Sequence, residues 1–113
     1  MNFNETQGLK KDSDFRKVYR HGKSLANKYL VMYVLNNKSD INRVGISVSK
    51  KVGKANVRNK ARRRIKESYR LSIDSKIKKG YDIVFIARVA IKDVDYIDIE
   101  KAMKHLVKKS NLF

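Results

Sequence analysis

Apolar and polar positions alternate along residues 29–35. Leu30, Met32 and Val34 point one way, and Tyr29, Val31 and Tyr33 the other. A period of two predicts a β-strand. Residues 43–49 repeat it, with Val44, Ile46 and Val48 on one side and Gly45, Ser47 and Ser49 on the other. Across the turn-rich loop 36–42 the two segments predict an antiparallel pair. Residues 81–89, YDIVFIARV, predict a third strand, apolar enough on both faces for the middle of a sheet. Residues 23–27 are polar and predict no more than a short extended edge.

Other stretches follow the helical period. Phe15, Val18 and Tyr19 stand at i, i+3 and i+4 on a helix capped by Asp12 or Ser13, with Gly22 placed to end it near Arg20. Residues 57–70 predict a second helix, capped by Asn56 and running to about Ser72. At ~100° per residue, Val57, Ala61, Ile65 and Tyr69 share one face. Asn59, Arg62, Arg63, Lys66 and Arg70 gather on the other, in an arc of roughly 100°. Arg58 falls nearer the apolar side. Residues 73–79 read as a tail or loop ended by Gly80. Asp95 predicts the cap of a last helix over 96–109, with Ile99, Met103, Leu106 and Val107 as its stripe. Asp98 and Glu100 near its start and Lys104, Lys108 and Lys109 near its end suit the helix dipole.

The order is helix, strands, helix, strand, helix, an α+β domain spanning residues 1–113 as one unit, with the polar residues 1–11 expected to fray. A strand, a basic helix and a buried strand in succession predict a parallel crossover.

Charge changes the picture most. The formal net charge is +17, from 28 Lys and Arg against 11 Asp and Glu. Such an excess repels itself in the compact state and asks for a polyanion: nucleic acid, an anionic membrane or acidic protein. The longest apolar runs, 30–35 and 83–87, are far short of a membrane span, and the N-terminus lacks a basic-then-apolar signal pattern. A cytoplasmic protein without a membrane partner is expected. Cysteine is absent, which removes disulfides and thiolate metal sites.

No catalytic set is legible. There is no nucleophile motif, phosphate-binding glycine loop or metal-binding histidine pair, and His21 and His105 lie on different elements. Asp93, Asp95, Asp98 and Glu100 cluster, but around a helix start, where capping and dipole compensation explain them better than a metal. Neither catalytic residues nor metal ligands are expected.

Binding is legible. Lys50, Lys51 and Lys54 lead into the cationic arc, and Glu67 is the sole acid between residues 50 and 70. Arginine forks fit phosphate oxygens and stack on bases. A solvated helix face balanced by ion pairs would need more acids. Neutralising ~6 phosphates would make affinity fall as roughly the fifth power of salt concentration. The small hydroxyls and tyrosines on the strands' second face suit either a wet groove or an ordinary solvent face.

The stretch RVGISVSKKVGKANVRNKARRRIKESYR, residues 43–70, resembles the signature of the protein subunit of bacterial ribonuclease P. DFRKVYRHGKS at 14–24 resembles that family's first helix, and YDIVFIAR at 81–88 its last strand. The likeness covers roughly residues 12–113. Two positions depart from the pattern: the family's R-N-R reads Arg58-Asn59-Lys60, and Asn56 replaces an apolar residue. Lys60 keeps the charge without the bidentate fork.

The resemblance implies an α-β-β-β-α-β-α fold with a mainly antiparallel four-stranded sheet and a left-handed β-α-β crossover, the ribosomal protein S5 domain 2-like fold. It implies a protein, monomeric alone, that joins a large catalytic RNA to cleave the 5′ leader from precursor tRNA. Mg²⁺ would be held mainly by that RNA, with none tightly bound by the protein. It implies docking on the RNA through Lys50, Lys51, Lys54, Arg58, Asn59, Lys60, Arg62, Arg63, Lys66 and Arg70. It also implies a leader-binding cleft made by Phe15, Tyr19, Val31, Tyr33, Ser47, Ser49 and Phe113. Tyr33 is the firmest of these, since its alternation sets it opposite Leu30, Met32 and Val34, whereas Phe15 could equally be core. A ribosomal RNA-binding protein would share the charge and size but would not need an aromatic cleft. A DNA-binding module would need a helix-turn-helix spacing that is missing.

Overall fold

The computed structural model describes residues 3–113. In chain order the elements are β1 (Thr6–Gly8), α1 (Asp12–His21), β2 (Lys23–Ala26), β3 (Leu30–Asn36), β4 (Asn42–Ser47), α2 (Ala55–Ser72), β5 (Tyr81–Ala87), a 3-10 turn (Val89–Ile91) and α3 (Tyr96–Lys109). The strands form one mixed sheet in the order β1-β4-β5-β3-β2. β1 with β4 and β4 with β5 are parallel, and β2 with β3 and β3 with β5 are antiparallel.

The α+β class and the parallel β4–α2–β5 crossover stand. The sheet differs from expectation in two ways. It is mixed and five-stranded rather than four-stranded and mainly antiparallel. And β3 does not pair with β4, because β5 lies between them. β5 is the strand buried along nearly its whole length, so the central place costs it least.

The fifth strand comes from the segment expected to fray. The buried carboxylate of Asp74 accepts the backbone N–H of Asn4 (2.9 Å) and Glu5 (3.1 Å) and the hydroxyl of Thr6 (2.5 Å). Thr6 Oγ1 also meets the Tyr69 hydroxyl at 3.0 Å, and Phe3 packs on the Tyr69 ring. Burial pushes the Tyr69 hydroxyl well above the ordinary tyrosine range. Residues 4–6 are thus pinned by an acid some 70 positions away. Met1 and Asn2, the start of the stretch expected to fray, lie outside the described residues.

Helix caps also differ. α2 begins at Ala55 with Lys54 as its N-cap, so Asn56 sits in the first turn and caps nothing. α1 begins at Asp12 after Lys11. α3 starts after Asp95, as the sequence predicts, though the Asp95 side chain makes no capping bond.

The sheet's two faces are unequal. Leu30, Met32, Val44, Ile83 and Phe85 pack beneath α2 and α3, against Ile65, Tyr69, Ile99, Met103 and Leu106. α1 alone covers the other face, where Val18 packs with Leu9 and Val84. Among the described residues no helix is long and apolar enough to cross a membrane.

Candidate nucleic-acid interface

Strand register sorts the α1 face into rows. Ser24, Tyr33, Val84 and Gly45 are successive partners across four strands, and Ala26, Val31, Ile86 and Ser47 form the next row. α1 lies on the first row. Phe15 covers Gly45, so closely that a Cβ there would stand 2.5 Å from its ring. Val18 is buried near Val84, and Tyr19 meets Tyr33 edge to face with centroids 5.2 Å apart. Phe15 and Tyr19 are themselves 6.4 Å apart. The second row is only partly covered. Val31, Ile86 and Ser47 are half-buried and Ala26 is exposed.

The result is a shallow groove. Its floor is Val31, Ile86 and Ser47, and its wall is the line Phe15, Tyr19, Tyr33. Tyr19 is 38% exposed, too much for a core residue and enough to offer a ring face. Partial burial raises the Tyr19 hydroxyl above its ordinary range, with the neighbouring Ser47 hydroxyl working against it.

The groove's geometry depends on where α1 sits, and an ion-pair set in the adjoining row fixes that. Asp82 is buried and takes both prongs of the Arg43 guanidinium, at 2.9 and 2.6 Å, plus the Asn37 amide at 2.9 Å. Arg43 also reaches Asp14 of α1 at 3.4 Å. The Asp82 contact holds the guanidinium's pKa above its usual value. One arginine therefore ties β4, β5 and α1 together.

Of the expected cleft residues, Phe15, Tyr19, Val31, Tyr33 and Ser47 come together here. Ser49 is exposed past the end of β4. Phe113 is not brought to the groove. Leu112 before it is buried in the core of the opposite face, which carries the C-terminus to the α2–α3 side. Ile86, Gly45, Arg43, Asp82 and Asp14 had no place in the expected cleft. The alternation of β5 carried a signal for Ile86, but the tether needs partners far apart in sequence.

α2 divides as its periodicity predicts. Ala61, Ile65 and Tyr69 are buried and Val57 is half-buried, whereas Asn59, Lys60, Arg63 and Arg70 are exposed. Arg62 and Lys66 are half-buried, and Arg62 donates to Asn59 at 3.3 Å. Arg70 is paired with Glu67. Arg58 donates to the Gly53 carbonyl at 3.4 Å, steadying the turn into the helix. Arg64, outside the expected arc, is committed to the Val94 carbonyl at 2.5 Å. Lys50, Lys51 and Lys54 are exposed on the turn between β4 and α2, which buried Val52 anchors. Among the described residues, no ion pair engages Lys50, Lys51, Lys54, Lys60, Arg62, Arg63 or Lys66. These charges are available to phosphate, and the lysines begin three residues past Ser47, where the groove floor ends.

Three of the acids are committed to contacts within the fold. Asp74 and Asp82 serve the fold as described, and Glu100 accepts the Ser72 hydroxyl at 2.6 Å. No group of three metal-binding side chains converges among the described residues.

Known proteins bear on this surface. Residues 3–111 match the family model described as Ribonuclease P. The ribonuclease P protein component of Clostridioides difficile is 70% identical over 112 residues, covering 99% of this chain and 98% of that protein. Among solved structures, the Staphylococcus aureus RNase P protein superposes with a TM-score of 0.87 at 40% identity, covering 96% of this chain and 98% of that one. The Thermotoga maritima RNase P protein does so with a TM-score of 0.83 at 36% identity, covering 91% and 96%.

Proposed function

The chain belongs to the ribonuclease P protein family, and from that premise we propose that it serves its holoenzyme as a leader-binding and RNA-docking subunit without chemistry of its own. The observation that carries this reading is the open row Val31, Ile86 and Ser47 beside the aromatic wall Phe15, Tyr19 and Tyr33. Unpaired bases stack on aromatic rings whatever their sequence, at about 1–3 kcal/mol per base. A 5′ leader of variable sequence needs that tolerance. The paired tRNA body offers no bases to such a wall.

The cationic face of α2, with the turn at Lys50, Lys51 and Lys54, docks on the catalytic RNA. Arg62, Arg63 and Lys66 carry the contact, with Asn59 and Lys60 beside them. Arg70 joins when RNA competes with Glu67, and Arg58 mainly holds the turn. The lysines nearest Ser47 sit where the leader would enter, between the two RNAs.

Phosphodiester cleavage belongs to the RNA subunit. Mg²⁺ held there would stabilise charge on the reacting oxygens. This chain's part is to position the leader and to neutralise phosphate. It acts as a monomer in the cytoplasm.

Reconstitution tests the reading. The protein is mixed with ribonuclease P RNA at low Mg²⁺, and 5′ processing of precursor tRNA is followed. A gain over RNA alone is expected. No gain would reject the role, and cleavage without RNA would reject the division of labour.

A further inference from the structure

A second groove lies on the other side of the strands that carry Tyr33. Lys23, Leu25, Met32 and Val34 share the helix-side face by register, and α3 leaves the β2 edge of that face uncovered. The space is about 880 Å³. Leu25, Met32, Val34 and Tyr81 floor it, and Leu112 closes its far side. Lys23 and Lys78 supply its cations, His21 lines it beside them, and no Asp or Glu does. Phe113, 40% exposed, follows directly on Leu112.

The groove is continuous with the aromatic cleft around one strand. Ser24 lines the groove and is the register partner of Tyr33. A strand laid along the open row from Ser47 to Ala26 leaves the sheet at β2. Leu25, the next residue, faces the groove.

We propose that this groove takes the upstream, unpaired nucleotides of the precursor tRNA leader after they cross the β2 edge, with bases on the apolar floor and phosphates against Lys23 and Lys78. The inference rests on the leader occupying the aromatic cleft. An apolar floor beside cations, with no acid, matches a nucleotide's two halves. The catalytic RNA is the less fitting occupant, because the unpaired cations of α2 and its leading turn lie on other elements. Edge strand β2 is short, four residues, so the chain's path around it is brief.

The test uses reconstituted holoenzyme and precursor tRNAs with leaders of about five and about fifteen nucleotides, near the two ends of the range of single-strand site sizes. In the unaltered protein the long leader should bind at least about fivefold tighter, the low end of one base contact. The double variant Lys23→Glu, Lys78→Glu should lose that advantage while binding the short-leader precursor as before. An advantage that survives the variant, or is absent from the unaltered protein, overturns the proposal. So does an equal loss for both leaders, which would mark general attraction or docking on the catalytic RNA. Tyr33→Ala separates the premise: if it leaves short-leader binding unchanged, the cleft reading fails whatever the groove does.

Discussion

Phe15 rests on Gly45, with no room between them for a methyl group: a Cβ at residue 45 would lie 2.5 Å from both Cε1 and Cζ of the ring. The glycine is therefore the seat of α1, and the seat sets the height of the groove wall. Gly45→Ala must lift Phe15 or push the strand. Overpacking of this kind costs about 1–3 kcal/mol. A lower denaturant midpoint is expected, together with weaker binding of leader-bearing precursor. Unchanged stability would mean that α1 shifts freely and Phe15 is not fixed by this contact.

Tyr33→Ala removes the inner end of the aromatic wall and the edge contact with Tyr19. Loss of one stacking platform should weaken binding of leader-bearing precursor by about 1–3 kcal/mol. Mature tRNA, which has no leader, should bind as before. Equilibrium binding of both RNAs to the holoenzyme decides it, and equal losses would sink the cleft assignment.

Much of this site was legible in the sequence, because it depends on local periods. The alternation at 29–35 set Tyr33 and Val31 opposite the core residues, and the helical wheel separated Ala61, Ile65 and Tyr69 from Arg63 and Arg70. Strand order was legible in part. The apolar run at 81–87 set β5 in the middle of the sheet, but β3 and β4 share a period of two, and nothing in a period says whether they pair directly or across a third strand. β1 was hidden for a different reason. Thr-Gln-Gly carries no strand pattern, and its order comes from Asp74 and Tyr69, far along the chain. The place of Phe113 was not legible, because it follows from the burial of Leu112 before it, which carries no local pattern.

Arg43 and Asp82 should act as a unit. Arg43→Met leaves the Asp82 carboxylate buried with Asn37 as its remaining side-chain partner. Orphaning a buried charge costs about 3–5 kcal/mol. The guanidinium is one-third exposed, so water offsets part of this and about 2 kcal/mol is expected. Arg43→Lys restores charge without the two-pronged geometry and should fall between. Denaturant unfolding of the three proteins tests the order. Asp14→Asn, touching the exposed end of the set, should cost under about 1 kcal/mol.

Asp74→Ala should release the N-terminal strand. It removes the acceptor for two backbone N–H groups and the Thr6 hydroxyl. Leaving such donors unpaired costs about 1–3 kcal/mol each where water cannot replace the acceptor. Because the site is partly buried, the total should sit near the lower end. Hydrogen exchange gives the sharper reading. Amides at residues 4–8 should lose protection while β5 keeps it. Uniform loss across the sheet would show that β1 is integral to the core and not an added edge.

The cations of α2 should divide by what already holds them. Arg63 and Lys66 have no ion-pair partner among the described residues, so on the proposed reading they are the ones to meet phosphate. Arg63→Ala and Lys66→Ala should each lower the slope of log affinity against log salt by about one, measured for the catalytic RNA. Arg64→Ala should leave that slope alone and lower stability, because its guanidinium donates to the Val94 carbonyl and fastens α2 to the segment before α3. Glu67→Gln should raise the slope, since it frees Arg70 from its partner on the same helix. A slope that moved equally for Arg63 and Arg64 would mean that net charge alone, and not this face of the helix, carries the attraction.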